Sequence, residues 1–139
     1  MKANISDEIV RSTLKFHPDV QAIYLFGSYG TEDERPDSDA DIALLLPPEV
    51  AKTTKNLSIS PLHDELEELL GKKVDLLNLR QISTVFKKEV VMSGRRIYTG
   101  NLYAVEEFEM LVISYYQKLN QERAGVLAEG MRTGKFHDI

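Results

Sequence analysis

Residues 27–41 read GSYGTEDERPDSDAD, from Gly27-Ser28 through Arg35-Pro36 to Asp39-Ala40-Asp41. The run before it, Val20 to Phe26 (VQAIYLF), is β-branched and aromatic, and the run after it, Asp41 to Leu46 (DIALLL), is apolar. Both read as buried strands. The polar residues between them, broken by Pro36, read as a turn and a loop. The chain thus leaves one strand on Gly-Ser and enters the next through Asp-x-Asp, with ten residues between the two pairs.

That pairing has chemical content. A turn or helix start after Gly27 offers free backbone N–H groups, and glycine lets an anion approach the backbone closely. The Ser28 hydroxyl adds a donor, and Arg35 could add charge toward phosphates. Asp39 and Asp41 lie two apart at a strand start, so they face the same way about 7 Å apart at Cα. Such a pair suits Mg²⁺, which is commonly held by one or two carboxylates plus substrate phosphates. Asp75 interrupts another apolar run, Val74-Asp75-Leu76-Leu77. A carboxylate there is costly unless paired or metal-bound. If its strand lies beside Asp41–Leu46, it completes a three-acid site able to hold two metals roughly 4 Å apart.

Working outward, Ser6 reads as the N-cap of a first helix, with Asp7 and Glu8 in its first turn and Pro18 as its stop. Glu49 to Ile59 reads as a loop. Ser60-Pro61 opens a helix that Gly71 ends. Val74 to Leu79 is a third strand, Thr84 to Met92 a short helix and Arg96 to Tyr98 a small edge strand. The last helix runs from Leu102 to about Glu122, and the tail after Gly125 is expected to fray. The order predicts an α/β (α+β) protein, a small mixed sheet flanked by helices. In the last helix Val105, Phe108, Val112, Tyr115 and Leu119 form a narrow apolar seam, with Met110, Leu111, Ile113 and Tyr116 around it. It suits packing on the sheet, and part of it suits a helical partner.

Length and composition narrow the rest. A chain of 139 residues is one domain by length and can bury a core. The formal net charge of −5 argues against coating nucleic acid. There is no Cys, so thiol chemistry and thiolate metal sites are excluded. No apolar run is long enough to span a bilayer, so no membrane partner and a cytoplasmic location are expected. His17, His63 and His137 show no ligand spacing and are expected at the surface. The basic pairs Lys72-Lys73, Lys87-Lys88 and Arg95-Arg96 are of the kind usually solvated, although one could touch a bound ligand or an acidic partner.

Gly-Ser, ten residues, Asp-x-Asp and a third Asp on a later strand resemble the signature of the polymerase β-like nucleotidyltransferase superfamily. Within it the short chain looks like the minimal nucleotidyltransferases, above all the antitoxins of HEPN/MNT toxin–antitoxin systems. The resemblance covers roughly residues 20–100, including KKVDLLNL and GRRIYTGN. It implies the polymerase β-like fold, with residues 1–100 as the core and residues 101–139 as a C-terminal helix and tail of the same domain. It also implies phosphate binding by Gly27 and Ser28, Mg²⁺ at Asp39 and Asp41, and Asp75 as third acid, ligand and possible base. The implied reaction moves AMP from ATP to a tyrosine hydroxyl of a HEPN-domain ribonuclease toxin, with which the chain would form a hetero-oligomer, and so silences it. Many minimal members carry Arg and Ala-Arg-Gly after Gly-Ser, where this chain has Tyr29-Gly30-Thr31. Basic help with the triphosphate is therefore thinner, which puts weight on Arg35. Alternatives are a small-molecule nucleotidyltransferase, a non-catalytic antitoxin acting by steric cover, and a nucleotide sensor that transfers nothing.

Overall fold

A computed structural model describes residues 5–27, 39–54 and 56–133. The first helix, α1 (Ile5–Phe16), leads into β1 (Ala22–Phe26). Then come β2 (Ala40–Leu45), α2 (Pro48–Thr53), α3 (Pro61–Leu70), β3 (Val74–Asn78), α4 (Thr84–Ser93), β4 (Arg95–Thr99) and α5 (Leu102–Thr133). The strands form one mixed sheet in the order β3-β2-β1-β4. β1 is antiparallel to β2 and β4, and β2 is parallel to β3.

Side-chain alternation splits the core in two. On one face Ile23, Leu25, Ile42 and Leu44 pack with Ile9 of α1 and Leu62 and Leu66 of α3. On the other, Ala22, Tyr24, Phe26, Ala43 and Leu45 pack with Val90 of α4 and Val105, Phe108 and Val112 of α5. All five residues of β1 are buried, which is why its sequence is continuously apolar and not alternating. Two polar contacts are set into this core, one inside α1 and one between layers. Buried Thr13 donates to the Ile9 carbonyl at 2.8 Å, so its hydroxyl is satisfied. The Tyr24 hydroxyl donates to Glu109 Oε2 at 2.6 Å, and Arg96 Nη1 reaches the same oxygen at 3.2 Å, joining β1, β4 and α5. Burial and the Glu109 carboxylate push the Tyr24 phenol well above its ordinary range.

The expected α/β (α+β) order is present, with corrections. Glu49–Ile59 is not simply a loop: α2 occupies Pro48–Thr53 and a 3-10 turn occupies Leu57–Ile59. Pro48 sits at a helix start, where its missing N–H costs nothing, and Glu49 follows in the first turn. α1 begins at Ile5, so Ser6 lies inside the helix and not at its cap. α5 continues through Gly125 and Gly130 to Thr133. A helical glycine costs about 1 kcal/mol relative to alanine, which weakens a helix without ending it. His63 is not a surface residue: its side chain is 14% exposed. His137 lies outside the described residues.

Candidate active site

The site forms where β1 ends and β2 and β3 begin. Gly27 follows β1 with φ of +70°, a conformation that side-chain-bearing residues adopt at a cost. Space imposes the same choice: a Cβ there would lie 2.2 Å from Asp41 Oδ2. The carboxyl of Asp41 therefore rests against bare backbone.

Register gathers the acids. Asp41 is the parallel-ladder partner of Asp75. Ladder partners project to the same face, here the face shared with α4 and α5. Asp39 stands two residues before Asp41 and is exposed. Burial holds the Asp41 carboxyl above its ordinary value, and the charges of Asp75 and then Asp39 raise it further. Asp75 and Asp39 thus both bear on Asp41, although among the described residues no three potential ligands are closed to metal-holding distance. The condition set by the sequence, that the Asp75 strand lie beside Asp41–Leu46, is met.

Two residues that pattern reading passed over hold β3 in place. Glu67 Oε2 accepts from the Val74 N–H at 2.9 Å, and His63 Nε2 lies 2.9 Å from the Val74 carbonyl oxygen. Both backbone groups of the residue before Asp75 are thereby tied to α3. The Ala40 N–H donates to the Lys73 carbonyl at 2.8 Å, which ties the start of β2 to the start of β3. His63 and Glu67 are four apart on one helix. That spacing puts them on one face, but only the tertiary contact gives it meaning. Phe26, the antiparallel partner of Asp41, meets Phe86 of α4 edge to face at 5.8 Å and forms an apolar wall beside the acids.

The donor set fits a divalent cation. Carboxylate oxygens are hard ligands, and like charges crowded in a half-buried place are relieved by a positive ion. Asp39, Asp41 and Asp75 are the residues that could hold it. Gly27 forms the turn that ends β1 beside Asp41, while Ser28 and Arg35 lie outside the described residues.

Comparisons with known proteins bear on the family and the fold. A family model described as polymerase beta, nucleotidyltransferase, matches residues 8–102. Protein adenylyltransferase MntA of Shewanella oneidensis is 38% identical over 114 residues, 82% of this chain and 78% of that protein. Among solved structures, a chain of a toxin–antitoxin complex with AMP-PNP gives a TM-score of 0.74 at 35% identity, covering 91% of this chain and 98% of its own. A chain from the complex of tri-AMPylated S. oneidensis HEPN toxin with MNT antitoxin gives 0.69 at 35% identity, covering 91% and 95%.

Proposed function

The chain belongs to the polymerase beta nucleotidyltransferase family, and from that premise we propose that it is a protein adenylyltransferase and antitoxin. It transfers AMP from ATP to a tyrosine hydroxyl of a partner HEPN-domain ribonuclease toxin, forms a complex with that toxin and neutralises it. The observation that carries the reading is the register of Asp41 with Asp75, two residues beyond Asp39 and against Gly27. The relatives support its two reactants: one was solved with AMP-PNP, another beside an AMPylated HEPN toxin.

In the reaction the acceptor oxygen bonds to the α-phosphorus as the bond to the departing pyrophosphate breaks. Gly27 and Ser28 hold the phosphates through backbone N–H groups and the hydroxyl, with Arg35 adding charge. Asp39, Asp41 and Asp75 would hold Mg²⁺, in two sites on this reading. When bound, Mg²⁺ neutralises the triphosphate and polarises the reacting oxygens. Asp75 also serves as the base that receives the acceptor's proton. Phe26 and Phe86 keep water from one side of the acids, which strengthens their charges. The protein's share is positioning and electrostatics, with no covalent intermediate.

The site of action on this reading is the cytoplasm. Among the described residues no helix is long and apolar enough to cross a membrane. Incubation with α-labelled ATP, Mg²⁺ and a HEPN-domain toxin from the same genome tests the proposal. Label on the toxin, together with loss of its ribonuclease activity, is the expected result. Label that never leaves ATP while the toxin is nonetheless silenced would establish steric cover instead.

A further inference from the structure

A second like-charge cluster lies away from the acids. Arg80 follows β3, and its guanidinium donates to the Leu46 carbonyl and to Gln21 Oε1. These groups mark the end of β1 and β2 opposite Gly27 and Asp41. The same guanidinium stands over the Phe108 ring, 5.3 Å from its centre. Lys87 of α4 faces it across a groove of about 170 Å³ between α4 and α5, lined also by Thr84, Leu111 and Tyr115.

The groove is not arranged for the isolated chain. Lys87 is half-buried, and burial, followed by the charge of Arg80, makes its ammonium easier to deprotonate. Among the described residues no carboxylate reaches Lys87 at hydrogen-bond distance. Glu107 and Glu49 offset the charge of Arg80 from farther away. Half-burying two cations side by side with no carboxylate at hydrogen-bond distance from Lys87 costs free energy, because hydration that stabilises the charges is lost. The rim is apolar and open: Leu111 is 42% exposed, Tyr115 60% and neighbouring Met110 63%. An apolar rim around a paired cation matches a protein segment carrying a carboxylate between apolar side chains. In a chain of net charge −5, this concentration of positive charge stands out.

We propose that the α4–α5 groove is the docking site for an acidic segment of the HEPN-domain toxin, with Arg80 and Lys87 receiving its carboxylate and Leu111 and Tyr115 its apolar neighbours. The inference rests on the function proposed above and names the surface through which that partner is held. Lys87→Met removes the charge and keeps the bulk, Leu111→Asp spoils the rim, and Lys87→Arg keeps the charge. Arg80 is left intact because it ties strand ends together. Affinity for the purified toxin is measured by calorimetry at two salt concentrations, alongside AMP-PNP binding and thermal stability of the antitoxin alone.

Lys87→Met is expected to weaken toxin binding about tenfold and flatten its salt dependence. Leu111→Asp is expected to weaken it on the order of a hundredfold, while Lys87→Arg binds like wild type. AMP-PNP binding stays within about twofold throughout, and Lys87→Met is at least as stable as wild type, the mark of a group kept for binding and not for folding. Wild-type toxin affinity in both weakening variants overturns the docking site and leaves the enzyme reading standing. Failure of the wild type to bind any HEPN-domain toxin overturns that reading itself. Inorganic phosphate bound tightly by wild type and not by Lys87→Met would make the groove a small-anion site. A homodimer dissolved by Leu111→Asp would give the face to a second copy. Either outcome displaces the proposal.

Discussion

The two ends of the sheet carry opposite versions of one device. At the end of β1, Asp39, Asp41 and Asp75 crowd negative charge against a bare glycine. At the other end, Arg80 and Lys87 crowd positive charge against Phe108. Neither cluster is what folding alone would select, because like charges partly removed from water oppose the folded state. The difference lies in the surroundings. The acids stand on adjoining strand starts whose backbones are tied to each other and to α3, a rigid frame suited to aligning small groups. The cations line an open groove with an exposed apolar rim, a surface suited to a macromolecule. On the proposed function, one end serves the chemistry and the other holds the molecule on which the chemistry is done.

Mutations can break this contrast, and the largest effect belongs to the acid end. Asp41→Asn is expected to lower AMP transfer on the order of a thousandfold, read as label on the toxin, with toxin affinity unchanged. A matching loss of affinity would merge the two ends into one site. Gly27→Ala places a methyl group on the Asp41 carboxyl and imposes a positive φ on alanine. A loss of about 1–3 kcal/mol is expected in urea unfolding, with AMP-PNP binding reduced as well.

Smaller effects sharpen the comparison. His63→Ala removes the contact to the Val74 carbonyl and is expected to cost about 1 kcal/mol, with transfer slowed several-fold and toxin affinity intact. The last effect has the opposite sign. Asp41 keeps its proton to higher pH when folded than when unfolded. Its contribution therefore favours folding at low pH and is lost as pH rises through the folded value. At neutral pH the metal-free protein carries that penalty, so Asp41→Asn should melt slightly higher than wild type without Mg²⁺. Added Mg²⁺ should raise the melting temperature of wild type and not of the variant.

The two ends were also unequally legible in the sequence. The acids could be read because each breaks a local pattern: Asp75 interrupts an apolar strand, and Asp39 and Asp41 share one strand face at a fixed distance from a Gly-Ser turn. Strand periodicity then carries residues of one parity to one face. Arg80 and Lys87 break no such pattern. Lys87 sits in a Lys-Lys pair of the kind that is usually solvated, and it becomes half-buried only because α5 packs across α4. The seam of α5 divides for the same reason. Val105, Phe108 and Val112 enter the core, while Tyr115 at the same spacing stays largely exposed. A helical period shows which residues share a stripe but not where the sheet beneath it ends. The short α2 is not legible in the sequence because two prolines directly after an apolar strand mark its stop, and only the structure shows Pro48 opening a helix.

The most direct measurement concerns the carboxylate farthest away in sequence. Wild-type and Asp75→Asn proteins are each incubated with ATP, Mg²⁺ and the HEPN-domain toxin, and the toxin's intact mass is followed over time. If the three acids form one catalytic set, the toxin gains AMP with wild type and stays at its starting mass with Asp75→Asn, although both proteins bind it equally. AMP incorporation by Asp75→Asn at the wild-type rate would contradict that.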